Sequence, residues 1–179
     1  MMIGDRQLLA WVLNGDEAAF TALYRQHQGA IYRFALHMTG SVSAAEVVTQ
    51  ETFLALLKQG SRYDPSRGTL AAFLYGIARN LVLRRIAQGR DLPLEDSAGG
   101  QDLFDSLMRR EIVDQVRRAV LSLPPVYREV IALCDLEDSS YEDASAALDC
   151  PVGTVRSRLN RGRAMLAKKL SGVKGECHV

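Results

Sequence analysis

Apolar residues recur at three- and four-residue steps through most of the chain. Phe20, Leu23, Tyr24, Ile31, Phe34 and Met38 fall on one side of a helical wheel, which predicts an amphipathic helix over 16–38. Asn14 and Gly15 stop a short helix ahead of it, and Asp16 has the side-chain oxygen to cap the next one. After a break at Thr39-Gly40-Ser41, a second helix is expected from about Ala44 to Lys58, burying Val47 or Val48, Leu54 and Leu57. Residues 59–68 read as a loop from their Gly, Pro and Ser. Thr69 can cap a third helix to about Ala87, with Leu70, Phe73, Leu74, Ile77, Ala78 and Leu81 inward. These helices make one expected domain, 1–88.

Residues 89–106 contain a Pro, paired Gly residues and many carboxylates, and are predicted to be a linker. A second helical domain is expected over 107–172, with a short tail at 173–179. Its helices are predicted at 111–121, 127–136, 141–148 and 151–170. Pro125 is tolerated only in a first helical turn, and Ser139 or Ser140 can cap the third helix. No strand signal competes. The expected fold is all-α: two small helical domains joined by a flexible acidic linker, the second a four-helix domain with a helix-turn-helix.

Charge sharpens this division. The net charge is +1, but residues 1–90 hold ten Lys/Arg against six Asp/Glu, and 91–115 hold two against seven. Residues 151–174 hold seven basic residues and no acidic one. No apolar run approaches the roughly 20 residues of a membrane span, and the first residues do not read as a signal peptide, so the cytoplasm is the expected location and no direct membrane insertion is expected. The three cysteines, Cys134, Cys150 and Cys177, are widely spaced and form no CxxC pair. His27, His37 and His178 show no pairing with a nucleophile, and no phosphate loop is present. Neither an enzyme nor a cofactor or metal is expected.

The segment from Ser140 to Arg163 carries the most chemistry. A capped short helix meets a tight break at Asp149-Cys150, and a longer basic helix follows. On a 100° wheel Val155, Leu159, Gly162, Leu166 and Leu170 face inward. Ser157, Asn160 and Arg161 face outward with Arg156 beside them, and Arg158 and Arg163 lie on the flanks. A helix so divided can place side chains near its N-terminus on base edges and hold phosphates with flanking arginines. Thr154, Arg156, Ser157, Arg158, Asn160, Arg161 and Arg163 are the candidate DNA contacts here.

Three stretches now bring a family into view: Leu123-Pro-Pro-Val-Tyr-Arg-Glu-Val130, then Ser140-Tyr-Glu-Asp-Ala144, then Pro151-Val-Gly-Thr-Val-Arg-Ser-Arg-Leu159. Together they resemble the promoter-binding domain of the extracytoplasmic-function (ECF) group of bacterial RNA polymerase sigma factors, in the sigma-70 family. Gly15-Asp-Glu-Ala-Ala-Phe20 resembles that group's opening motif, and Gln50-Glu-Thr-Phe-Leu54 its polymerase-binding segment. Tyr63-Asp-Pro-Ser-Arg-Gly68 with Phe73-Leu-Tyr-Gly-Ile-Ala-Arg-Asn80 resembles the part that opens and reads the −10 element. The matches run in order from about residue 8 to 170.

The resemblance implies a factor that binds core RNA polymerase and promoter DNA, with the second domain on the −35 element and the first capturing the melted −10 strand. It implies an anti-sigma factor as a further partner. Glu46, Gln50, Glu51, Phe53 and Leu54 would meet the polymerase; from periodicity alone, Phe53 is equally an anchor or a core residue. The family commonly has acids where this chain has Ala44 and Val47, leaving Glu46 and Glu51 as the acids of that segment. Tyr63, Asp64, Arg67, Arg79, Asn80 and Arg84 would meet the −10 strand, Arg85 and Arg90 would suit the duplex upstream, and Phe73 and Tyr75 would be structural. Asp91, Glu95, Asp96, Asp102 and Asp105 would either mimic RNA phosphates or act as a self-repelling tether. Two rival readings stand beside this one: a helix-turn-helix operator-binding regulator, which leaves 44–88 without a purpose, and a redox or metal sensor using Cys134, Cys150, Cys177 and His178.

Overall fold

The computed structural model describes residues 4–89 and 105–173, and within them every regular element is helical. The first half holds α1 (Asp5–Leu13), α2 (Glu17–Thr39), α3 (Val42–Gln59) and α4 (Leu70–Ala87), with a 3₁₀ turn at Gly60–Arg62. The second holds α5 (Asp105–Leu121), α6 (Pro125–Ile131) running on into a π-helical turn (Ala132–Leu136), α7 (Tyr141–Leu148) and α8 (Val152–Val173). Residues 90–104, most of the expected linker, lie outside the described residues. Its last two positions, Asp105 and Ser106, already belong to α5.

Local chemistry sets the helix boundaries. Asp16 accepts from the Ala19 amide at the start of α2, Ser41 from Ala44 at α3, Thr69 from Ala72 at α4 and Ser140 from Asp143 at α7. Each satisfies an amide that has no partner inside its own helix. Gly40 ends α2 in the left-handed conformation at φ 70°, where a Cβ would be strained. Pro125 occupies the first turn of α6, where its missing N–H costs nothing.

The core of the first half is built by α2, α3 and α4. Leu23, Ile31, Phe34 and Met38 of α2 meet Val48, Phe53 and Leu56 of α3 and Leu70, Leu74, Ala78 and Val82 of α4. Burying each large side chain contributes about 1.5–3 kcal/mol. The expected buried face of α3 is displaced. Val48 is buried, but Val47, Leu54 and Leu57 are exposed, and Thr49 and Thr52 take inward positions. Their hydroxyls donate to the carbonyls of Ala45 and Val48 in the preceding turn, so threonine enters the core with its polar atom satisfied. On α4, Phe73 and Leu81 are only half-buried, while Ala72 and Tyr75 are buried.

The two halves pack together, an arrangement that linker composition did not foretell. Helix α4 lies against α7 at close range: a Cβ on Gly76 would stand 3.3 Å from the Ala147 carbonyl oxygen, and one on Gly68 would stand 2.9 Å from Ala146 Cβ. A Cβ on Gly40 would meet Leu121 at 2.7 Å. Arg128 of α6 donates to Met38 O of α2 at 2.6 Å, to Leu121 O at 2.5 Å and to Leu123 O at 2.9 Å. It thereby serves the carbonyl ends of two helices from different halves. Burial lowers the Arg128 pKa below its ordinary value.

Candidate nucleic-acid and polymerase interfaces

Helices α7 and α8 meet at a turn through Asp149, which adopts the left-handed conformation at φ 49°. The Ser145 hydroxyl donates to Cys150 O at 2.6 Å and tightens that turn. Val155, Leu159 and Gly162 hold α8 on the domain core; a Cβ on Gly162 would stand 3.0 Å from Ile131 Cγ1. Arg156, Ser157, Asn160 and Arg161 are exposed on the opposite face, and Thr154 is half-buried beside them.

The flanking arginines are already engaged. Arg163 makes a two-pronged contact with Asp135, at 3.0 and 2.6 Å, and this raises its pKa. Arg156 stands 5.6 Å over the Tyr141 ring, within cation–π range. Arg158 reaches back rather than out: its Nη1 lies 3.6 Å from Oε1 of Glu129.

In the first half, the 60–69 loop and α4 bring Tyr63, Asp64, Arg67, Arg79, Asn80 and Arg84 around one cavity of about 680 Å³. Gln59 and Arg62, absent from the sequence-derived set, line it too. Arg62 directly precedes Tyr63 in the same loop, which was the available signal. Four arginines on one concave surface favour an anionic chain. Tyr63 is half-buried, its ring 5.6 Å from Phe73 and its hydroxyl donating to Gly68 O at 3.2 Å; burial raises its pKa. Asp64 accepts from the Ser66 amide and hydroxyl, which hold its carboxyl below the usual range. Both residues therefore shape the loop. Arg67, Asn80 and Arg84 are exposed.

The second half closes over this cavity. Ala146, Ala147 and Asp149 form part of its wall, and Asp149 lies 3.6 Å from Arg67. Thr69 donates its amide and hydroxyl to Asp143 of α7, at 3.3 and 2.9 Å. Arg79 donates Nε to Glu129 Oε2 at 2.7 Å and Nη2 to Oε1 at 3.2 Å. Glu129 is 2% exposed.

On α3, Glu46, Gln50, Glu51 and Leu54 are exposed, with Val47 beside them. Phe53 is not part of this face and is corrected here: it is buried, 4.7 Å from the Tyr24 ring and 6.4 Å edge-on to Phe20. An aromatic cluster with α2 fixes it as a core residue. Cys134 is half-buried and its thiol is pushed up to about 11 by burial, which disfavours the reactive thiolate. Cys177 and His178 lie outside the described residues. Among the described residues no group of three or more His, Cys, Asp or Glu is placed to hold a metal.

Two family models match the chain: Sigma-70 region 2 over residues 23–91, and Sigma-70, region 4 over residues 114–166. The chain is 36% identical over 172 residues to the ECF RNA polymerase sigma factor SigE of Mycolicibacterium smegmatis, covering 88% of this chain and 65% of that protein. It is 30% identical over 185 residues to the ECF RNA polymerase sigma factor SigW of Bacillus subtilis, covering 95% of this chain and 97% of that one. Among solved structures, the sigma factor RpoE bound to the anti-sigma factor NepR from Bartonella quintana matches with a TM-score of 0.69 at 26% identity, over 85% of this chain and 96% of that one.

Proposed function

The chain belongs to the ECF group of sigma-70 factors, and on that premise we propose how its surfaces divide the work of promoter-directed transcription initiation. As a sigma factor it binds core RNA polymerase and directs initiation at promoters. The exposed α3 face of Glu46, Gln50, Glu51 and Leu54 docks on the polymerase, Leu54 giving the apolar contact and the two acids the charge. Arg156, Ser157, Asn160 and Arg161 at the N-terminal end of α8 read the −35 duplex, with Thr154 and Arg158 beside them. The arginine-lined cavity takes the melted −10 strand through Arg62, Arg67, Arg79, Asn80 and Arg84. The chain itself performs recognition and strand capture in the cytoplasm, without a covalent step. An anti-sigma factor is its regulatory partner, as for the Bartonella quintana relative.

One observation carries this reading: a single chain presents both an exposed polar-apolar face on α3 and an outward basic N-terminal segment on α8. An operator-binding regulator needs only the second. Gel filtration with bacterial core polymerase tests it, comparing the native chain with a Gln50→Ala/Leu54→Ala variant. Co-elution of the native chain that weakens in the variant supports the sigma role. Absence of co-elution at low salt, with stable binding to duplex DNA alone, would point to operator binding instead.

A further inference from the structure

Glu129 occupies an unusual position. It projects from α6 into the seam between the halves and takes Arg79 of α4 on both oxygens, while Arg158 of α8 lies 3.6 Å from Oε1. The two cations it engages belong to the two proposed DNA surfaces. One carboxylate therefore neutralises an arginine of the −10 cavity and an arginine flanking the −35 helix. Around it, Thr69–Asp143 and Arg67–Asp149 add polar contacts across the same seam, and Ala146 and Ala147 wall the cavity.

Promoter geometry conflicts with this arrangement. Elements named for positions 35 and 10 upstream lie about 25 base pairs apart, roughly 85 Å at 3.4 Å per base pair of duplex. Side chains that share one carboxylate cannot span that distance. Strand phosphates entering the cavity would also compete with Glu129 for Arg79.

We infer that Glu129 is an electrostatic latch that holds the free chain closed, so that closure and capture of an anionic strand exclude each other. The latch rests on the proposed −10 role of the cavity, but the closed state is a property of the chain alone. Opening frees Arg79 for the strand. Glu129 keeps Arg158, on its own half, as a partner, so the buried carboxylate is not stranded.

Two full-length variants test this. Glu129→Gln keeps the shape and removes the charge. Gly76→Leu keeps every charge and drives a side chain against the α7 backbone, where a Cβ alone would stand 3.3 Å from the Ala147 carbonyl oxygen. Small-angle scattering reads compactness, circular dichroism reads retained helix, and anisotropy with fluorescein-labelled dT20 reads access to the cavity. A compact chain of this length has a radius of gyration of about 16 Å. The native chain is expected near that value. Both variants should expand with helix content intact and bind dT20 about tenfold more tightly, because apparent affinity scales with the open fraction. If one variant fails to fold, the other decides.

A native chain that is already extended, variants that stay compact, or expansion without tighter dT20 binding would each overturn the latch. Failure of the sigma reading is a separate result: variants that open and bind dT20 in a chain that does not co-elute with core polymerase.

Discussion

Glu137 and Arg33 form a second tie between the halves. The Glu137 side chain, 2% exposed, receives Arg33 Nε at 3.1 and 3.2 Å and Nη2 at 2.9 Å, while Arg33 remains 57% exposed. Burial raises the Glu137 pKa, and the Glu137 hydrogen bond raises that of Arg33. Removing the arginine strands a buried carboxylate, whereas removing both partners does not. Arg33→Ala is expected to cost about 1–2 kcal/mol, at the lower end because solvent reaches the guanidinium. Arg33→Ala/Glu137→Ala should cost less than the two single changes summed. A urea-denaturation double-mutant cycle measures this, and strict additivity would remove the tie.

His37 lies 3.8 Å from Glu137, with Arg33 and Arg117 as the nearby cations. Burial first, then those two arginines, lower its pKa below 6.5. A lowered histidine contributes stability that is present above pH 6.5 and lost as pH falls through its folded-state value. The native chain should therefore lose part of its melting temperature between pH 7.5 and pH 5.5 through this residue. His37→Gln should show a flatter profile over the same window. Equal slopes for the two proteins would exclude His37 as the source.

Phe53 and Leu54 are neighbours in sequence with opposite environments. Phe53→Ala removes an aromatic core residue and is expected to cost about 3–5 kcal/mol. Leu54→Ala exposes nothing new and should change the melting temperature little while weakening co-elution with core polymerase. Thermal melts beside gel filtration separate the two effects. A Phe53→Ala chain with native stability would return Phe53 to the polymerase face.

The contrast explains what was legible in the sequence. Asp16, Ser41, Thr69 and Ser140 announce their helices because a capping oxygen acts within three residues. The outward face of α8 was legible because its inner positions are uniformly small or apolar. Helix α3 was not, since apolar residues surround most of its circumference and threonines bond back to their own helix. The seam was least legible: nothing in the local sequence marks Glu129 and Glu137 for burial, and only the fold places arginines 50 and 104 positions away against them.

On α8, neighbouring arginines should behave differently. Arg161 is exposed and points outward, so Arg161→Ala is expected to weaken promoter-duplex binding and reduce the salt dependence of affinity by about one phosphate contact. Arg163 is held by Asp135, so Arg163→Ala should lower stability by up to about 1 kcal/mol. Salt titrations of binding beside thermal melts distinguish them. A stability loss confined to Arg161→Ala would reverse the assignment.

The close approaches at Gly40, Gly68 and Gly76 also bear on modularity. Two helical halves joined by a linker invite recombination, in which the first half of one family member is fused to the second half of another. Here the seam imposes a fit condition on such chimeras. A donor first half with a side chain in place of Gly68 would bring its Cβ to 2.9 Å from the Ala146 Cβ, so the seam would have to shift and the fusion would favour the open state. Compatibility between halves thus becomes a heritable setting of how readily the factor is available, carried by small residues at the seam.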